Sequence, residues 1–227
     1  MSNKRIHFNI SERNFHLLLS TLFSCGMVAG RIYKSLTPEY LFLIWNLFLA
    51  WIPYIISYIL RKKNNDLKRK ITLLGGIILW LLFYPNASYI ITDLFHLYEK
   101  DGIPLWYDLI LIVSFAWNGM ILALLSLQDI QFIIASRTSN SKSWIYSILF
   151  LFLTGFGVYI GRYLRWNSWD VFSQSRLLFS DLWGIATKPF ENTRAYMFTF
   201  VFSAFQVLIY YYFMRLRKII IRDEGNS

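Results

Sequence analysis

Charge is scarce along this chain. Asp, Glu, Lys and Arg make up only 16% of its 227 residues, against about a quarter in a soluble domain. Cysteine is nearly absent. Cys25 stands alone, which excludes an internal disulfide and a cysteine-based metal site. Histidine is sparse too, and His7, His16 and His96 are too few and too scattered to suggest an all-histidine zinc site. There is no Gly/Ser linker, no low-complexity tract and no repeat of fixed period. The chain therefore reads as one domain, residues 1–227.

What is abundant is apolar. Hydrophobic residues reach 56% and aromatic residues 19%, and they fall in long blocks, as membrane spans do. The net charge of +10 would suit nucleic acid if it were clustered on one face. Instead the Lys and Arg residues form short groups between apolar blocks. That pattern orients a chain in a bilayer and meets anionic lipid. Nucleic acid is excluded as a partner, and an anionic membrane lipid is the expected one. Nothing in the chain specifies a protein partner, an oligomeric state or a cofactor.

Six blocks are close to the ~20 residues that cross the hydrocarbon core. They lie at about 14–32, 39–60, 71–97, 105–127, 144–162 and 195–215. Only helices and closed barrels satisfy the backbone in lipid, so the fold class is an all-α polytopic membrane bundle with six transmembrane helices. Within the first block, Leu22-Phe-Ser-Cys-Gly26 faintly resembles a lipoprotein cleavage site. Phe23 is bulky for that motif and apolar residues continue beyond it, so a first transmembrane helix is expected. Lys and Arg set the orientation. With both termini in the cytoplasm, the inner segments hold 15 basic and 5 acidic residues, and the outer ones 8 of each. The positive-inside rule then favours a cell-membrane protein with both termini cytoplasmic.

One stretch organises the chain: Phe83-Tyr-Pro-Asn-Ala-Ser-Tyr-Ile-Ile-Thr-Asp-Leu-Phe-His-Leu97. Residues 71–97 would span about 40 Å as a helix, longer than the membrane core. Pro85 removes a backbone donor and clashes with the preceding turn. Asn86 can cap freed amides. A kinked or broken third helix at Pro85-Asn86 is expected. If helical, Asn86, Tyr89, Asp93 and His96 share an arc of about 80°. A helix end in water would carry such residues with no function. The break at membrane depth points instead to a site, because irregular backbone there must face protein or a cavity.

A second stretch ends on the same side. Gly157-Val-Tyr-Ile-Gly161 allows close helix packing. Arg162-Tyr-Leu-Arg165-Trp-Asn167-Ser-Trp-Asp170 follows. Arg162 and Arg165, three residues apart, would share a helical face, with Trp166 and Trp169 in reach of their guanidinium groups. Paired arginines suit phosphate or carboxylate. The alternative is that they reach lipid phosphates while the tryptophans form an interfacial belt. Residues 171–185 read as an interfacial helix over the polar stripe, with Val171, Ser175, Leu178, Leu182 and Ile185 on one face. Asn46, Asn118 and Gln206 are expected to hydrogen-bond between helices.

The two stretches also carry a resemblance. Pro85, Asn86, Ala87, Tyr89, Ile90, Thr92, Asp93, Leu94, His96 and Leu97 are similar to the signature of the membrane family catalogued as domain of unknown function 1361, with Ser88 where the family often has a second proline. Gly161 to Asp170 resembles its second motif, and Asp108 and Asn118-Gly119 fall where members are similar. The resemblance implies a multi-pass bacterial plasma membrane protein and brings no activity with it.

Three functions follow from these residues. The first is binding of an anionic lipid or lipid-linked phosphate at an outer-leaflet site, with Arg162 and Arg165 on the phosphate and Asn86, Tyr89 and Asn167 on the headgroup. The second is an outer-leaflet lipid-headgroup hydrolase or transferase, with His96 as acid or base and Asp93, Asp108 or Asp170 as its orienting partner. Those carboxylates would also suit a divalent metal, but no metal-spaced pair supports one, and no metal ligand is assigned. The third is a transporter, ranked last because the break is displaced from the midplane and no repeat is present.

Overall fold

Apolar residues continue at helical spacing well beyond one membrane crossing in the middle of the chain, and that long helix becomes the axis of the molecule. The computed structural model describes residues 10–64, 70–98 and 102–224. In chain order they form α1 (Ile10–Ser35), α2 (Leu41–Lys62), α3 (Lys70–Tyr89), a 3₁₀ segment (Ile90–His96), α4 (Leu105–Arg137), α5 (Asn140–Tyr159), a π-helical turn (Ile160–Leu164), α6 (Asp170–Ser173), α7 (Ser175–Thr187) and α8 (Thr193–Glu224). There is no strand among the described residues. Six of these segments are long and apolar enough to cross a membrane: α1, α2, α3 with its 3₁₀ extension, α4, α5 with its π turn, and α8. The protein is a multi-pass membrane helix bundle.

α4 is central and packs against α1, α2, α3 and α5, while α8 lies against α5. Its 33 residues make it about 50 Å long. The fourth block was expected to end near residue 127, with a loop at 128–143. Instead Ile130, Phe132, Ile133 and Ile134 carry the helix on to Arg137, and Thr138 and Ser139 alone separate α4 from α5. Asp129, expected in that loop, is therefore buried in the bundle.

Successive spans alternate in direction. Arg31 of α1 meets Asp108 of α4 at one end, and Arg13 meets Asp129 at the other. These are the Asp108 end and the Asp129 end below. Of the basic residues that set the expected orientation, Lys4, Arg5, Lys68, Arg69 and Lys100 lie outside the described residues.

Polar groups inside the bundle find partners across helices, as buried groups must. Asn118 donates to Ser24 Oγ at 2.9 Å and to the Ser20 carbonyl, fastening α4 to α1. Ser88 donates to Gln206 Oε1 across α3 and α8. Ser126 links three helices: it accepts from Trp80 Nε1 at 2.6 Å and donates to the Pro53 carbonyl at 3.0 Å. Asn118 and Gln206 thus have the interhelical role expected of them.

Asp108, a candidate catalytic residue, is instead the buried partner of Arg31. Both side chains are 2% exposed. Arg31 Nε and Nη2 donate to its two oxygens at 3.0 and 3.3 Å. Removing one member of such a pair strands the other charge, which costs about 3–5 kcal/mol. Glu39, a second partner of Arg31, offsets part of that. Asp108→Leu is therefore expected to destabilise the protein by about 3 kcal/mol, read as a lowered denaturation midpoint in detergent. An unchanged midpoint would show that the pair contributes nothing.

Candidate functional site

The site grows from the proline. Pro85 has no N–H, so the turn before it loses a hydrogen bond. The helix nevertheless continues through Pro85 and Asn86 to Tyr89, and the irregular backbone begins one turn later than expected. Two side chains brace the carbonyls next to the break. Ser168 Oγ, from the loop after α5, donates to the Leu82 carbonyl at 2.8 Å. Asn86 Nδ2 donates to the Phe83 carbonyl and to Ser168 Oγ, each at 2.9 Å. Asn86 therefore serves the loosened turn rather than capping a new helix. Gly157 makes room for the proline: a Cβ there would lie 2.7 Å from Pro85 Cγ.

From Ile90 to His96 the chain winds as a 3₁₀ helix. Thr92 Oγ1 donates back to the Tyr89 carbonyl at 2.7 Å, which suits the tighter turn. Three residues per turn regroup the side chains. Tyr89, Thr92 and Phe95 fall in one row, and Ile90, Asp93 and His96 in another. The expected single stripe of Asn86, Tyr89, Asp93 and His96 is split. Ile90 packs on Gly119 of α4, while Asp93 and His96 reach α2, where Asn46 Nδ2 donates to Asp93 Oδ2 at 2.8 Å and the Phe42 ring meets His96 at 5.1 Å.

The two stretches of sequence meet at Arg162. The π turn after α5 carries it, and such turns recur at functional sites. Arg162 Nη1 donates to Tyr89 Oη and to Asp93 Oδ1, both at 3.1 Å. Its guanidinium carbon lies 5.5 Å from the Tyr89 ring centre and 5.3 Å from that of Phe95. Asp93 is 1% exposed. One buried carboxylate thus receives an arginine on one oxygen and an amide on the other. Nη2 and Nε of Arg162 have no acceptor among the described residues.

Arg165 departs from expectation. It takes the left-handed conformation (φ 62°) that ends the helix, so it does not share a face with Arg162. Its side chain is exposed. The tryptophans do not cover these arginines either. Trp166 Nε1 donates to Asp181 of α7 at 2.9 Å, and Trp169 meets Trp45 edge-on at 6.4 Å.

Asn86, Tyr89 and Asn167 line a cavity of about 350 Å³, together with Asn46, Ser168 and an apolar wall from α3 and α5. Val171, Leu178 and Leu182 close it from above. The expected helix over the site is present as α6 and α7, with Leu178 and Ile185 buried; Ser175 is exposed. Asp170, another catalytic candidate, builds this roof. Its Oδ2 accepts from the Asn167 backbone N–H at 2.7 Å and its Oδ1 from Ser173 at 2.9 Å. The backbone donor, then the Ser173 and Asn167 side chains, hold its carboxyl below the usual aspartate range. Among the described residues, no three of His, Cys, Asp and Glu come together, so the carboxylate–histidine metal cluster does not assemble there.

The model of a family of proteins of unknown function, DUF1361, matches residues 45–209. The chain belongs to this family. No curated protein and no solved structure matches it. The DUF1361 match contains the whole Asn46–Asp93–Arg162–Tyr89 unit and the cavity, whereas Arg31, the partner of Asp108, lies outside it. Asn46 and Phe95 were the residues that motif reading missed. Asn46 had one signal, an amide inside an apolar block. Phe95 had none.

Two outcomes follow. Arg162→Met strands Asp93 and is expected to cost about 3 kcal/mol, while Asp93→Asn with Arg162→Met recovers at least half. Thermal unfolding of both variants decides it, and equal loss in both would mean the pair is not coupled. For Asp170, the lowered pKa means its contribution is full above the unfolded aspartate value of ~3.9 and is lost as pH falls through the folded one. The stability gap between wild type and Asp170→Asn should therefore be constant from pH 7 to about 5 and shrink below pH 4. A gap independent of pH would remove the carboxylate's role.

Proposed function

We propose that this DUF1361 protein is a bacterial plasma membrane protein, with both termini cytoplasmic, that holds the phosphate of an anionic lipid or lipid-linked phosphate in the outer leaflet. The observation that carries this is the place of Arg162. Its guanidinium sits between Tyr89, which lines the cavity together with Asn46, Asn86, Asn167 and Ser168, and Phe95, which lines an apolar groove of about 490 Å³ between the 3₁₀ segment and α8. A cation between a cavity with polar side chains in its lining and an apolar groove matches an amphiphile with phosphate at its centre. Nη1 is committed to Tyr89 and Asp93. Nη2 and Nε supply the donors for a bidentate phosphate contact. The headgroup enters the cavity beside Asn86, Tyr89 and Asn167, and an acyl chain follows Phe198 and Phe202. Arg165, exposed and on another face, is not required.

This reading is preferred to a hydrolase or transferase acting through His96. The carboxylates expected to orient that imidazole are engaged by Arg162 and Asn46, by Arg31, and by Asn167 and Ser173. It is preferred to a transporter because the ion pair lies at one end of the bundle.

Native mass spectrometry of the purified protein tests the proposal. The wild type should retain a discrete anionic lipid or lipid-linked phosphate. The Asp93→Asn, Arg162→Gln double variant, which avoids a stranded buried charge, should lose at least nine-tenths of it, and Arg165→Gln should keep it. No retained phosphate-bearing species, or one indifferent to Arg162, would sink the proposal.

A further inference from the structure

The Asp129 end carries a second polar cluster, apart from the site at Arg162. Asp129 of α4 is fully buried. Arg13 of α1 reaches its Oδ2 at 3.4 Å, and Arg61 of α2 donates to its Oδ1. Arg217 of α8 interacts electrostatically with Asp129 and with both arginines. Two guanidinium groups from two helices thus hold one carboxylate, with a third near enough to feel its charge, and the described charges of the cluster leave an excess of two positive charges. Arg13 is 13% exposed at its side chain and Arg61 33%. Charge held partly out of water needs a counter-charge.

Among the described residues the buried Nε of Arg13 has no acceptor. The region is rich in donors and positive charge and short of acceptors. A compact oxyanion with several acceptor oxygens meets both needs, and the planar guanidinium fork matches phosphate.

We infer that Arg13 and Arg61, both bonded to the buried carboxylate of Asp129, form with the neighbouring Arg217 an anion site for a phosphate group at the end of the bundle opposite Arg162. The phosphate is either that of a lipid headgroup at that membrane face or free inorganic phosphate. This site stands independently of the one proposed at Arg162.

The test is thermal unfolding of the full chain. It is run in detergent with inorganic phosphate against sulfate-free chloride of equal ionic strength, and in nanodiscs of phosphatidylcholine with or without phosphatidylglycerol. One ligand should raise the wild-type Tm by about 5 °C. Arg217 makes no hydrogen bond with the described residues that its loss would strand, so Arg217→Gln should fold, remove at least half of the rise and leave the ligand-free Tm within about 2 °C. Arg165→Gln, at the opposite end, should keep the full rise. A rise with phosphate assigns the free anion, and a rise with phosphatidylglycerol alone assigns the lipid headgroup. The inference fails if neither ligand raises the wild-type Tm beyond its control, a result that needs no variant. It also fails if Arg217→Gln keeps the full rise or Arg165→Gln loses it.

Discussion

The site depends on one buried ion pair. Asp93 is taken almost wholly out of water, at a cost that only good partners offset. Arg162 supplies the charge and Asn46 the second hydrogen bond. Three elements that are distant in sequence, α2, the 3₁₀ segment and the π turn, are therefore held in one arrangement. The rest follows from that clamp. With Arg162 drawn to Asp93, Tyr89 and Phe95 flank the guanidinium, and the loop after the π turn lies across Pro85, where Ser168 and Asn86 repair the helix.

Both ends of the bundle use the same chemistry with different balances. At the Asp108 end, Arg31–Asp108 is a closed pair whose oxygens and donors are matched. The Asp93–Arg162 pair is matched on the acid but leaves arginine donors open. At the Asp129 end the acid is outnumbered. Buried pairs of this kind cost desolvation energy. The matched one has a structural role, and the two with surplus donors are where anion binding is proposed.

Much of this was legible in the sequence because bilayer physics is strict. Helices are obligatory in lipid and need about 20 apolar residues, so six blocks announced six spans. The stretches at 83–97 and 155–170 were expected on one side of the bundle, and Arg162 meets Tyr89 and Asp93 there. Finer placement was not legible. The stripe Asn86–Tyr89–Asp93–His96 assumed 100° per residue, and a 3₁₀ winding turns Asp93 and His96 towards α2, so that only Arg162 still joins Asp93 to Tyr89. The Arg162–Arg165 pairing assumed an unbroken helix, and a left-handed residue turns one arginine away. Asp129 looked like a loop residue because polar residues at 128, 129 and 131 interrupt the hydrophobic run, although their neighbours keep the helical period.

The sequence by itself determined the class of fold, the number of crossings and the family, since these follow from hydropathy, length and a contiguous motif. The tertiary structure alone decided which polar residues are partners. Asp108 had two candidate roles and became the partner of Arg31, a residue 77 positions away. Asn46 looked like any interhelical amide and became the second donor to Asp93, 47 positions away. Partner choice is set by which helix faces which in the bundle. A periodicity along one chain fixes the face each helix presents but not its neighbour.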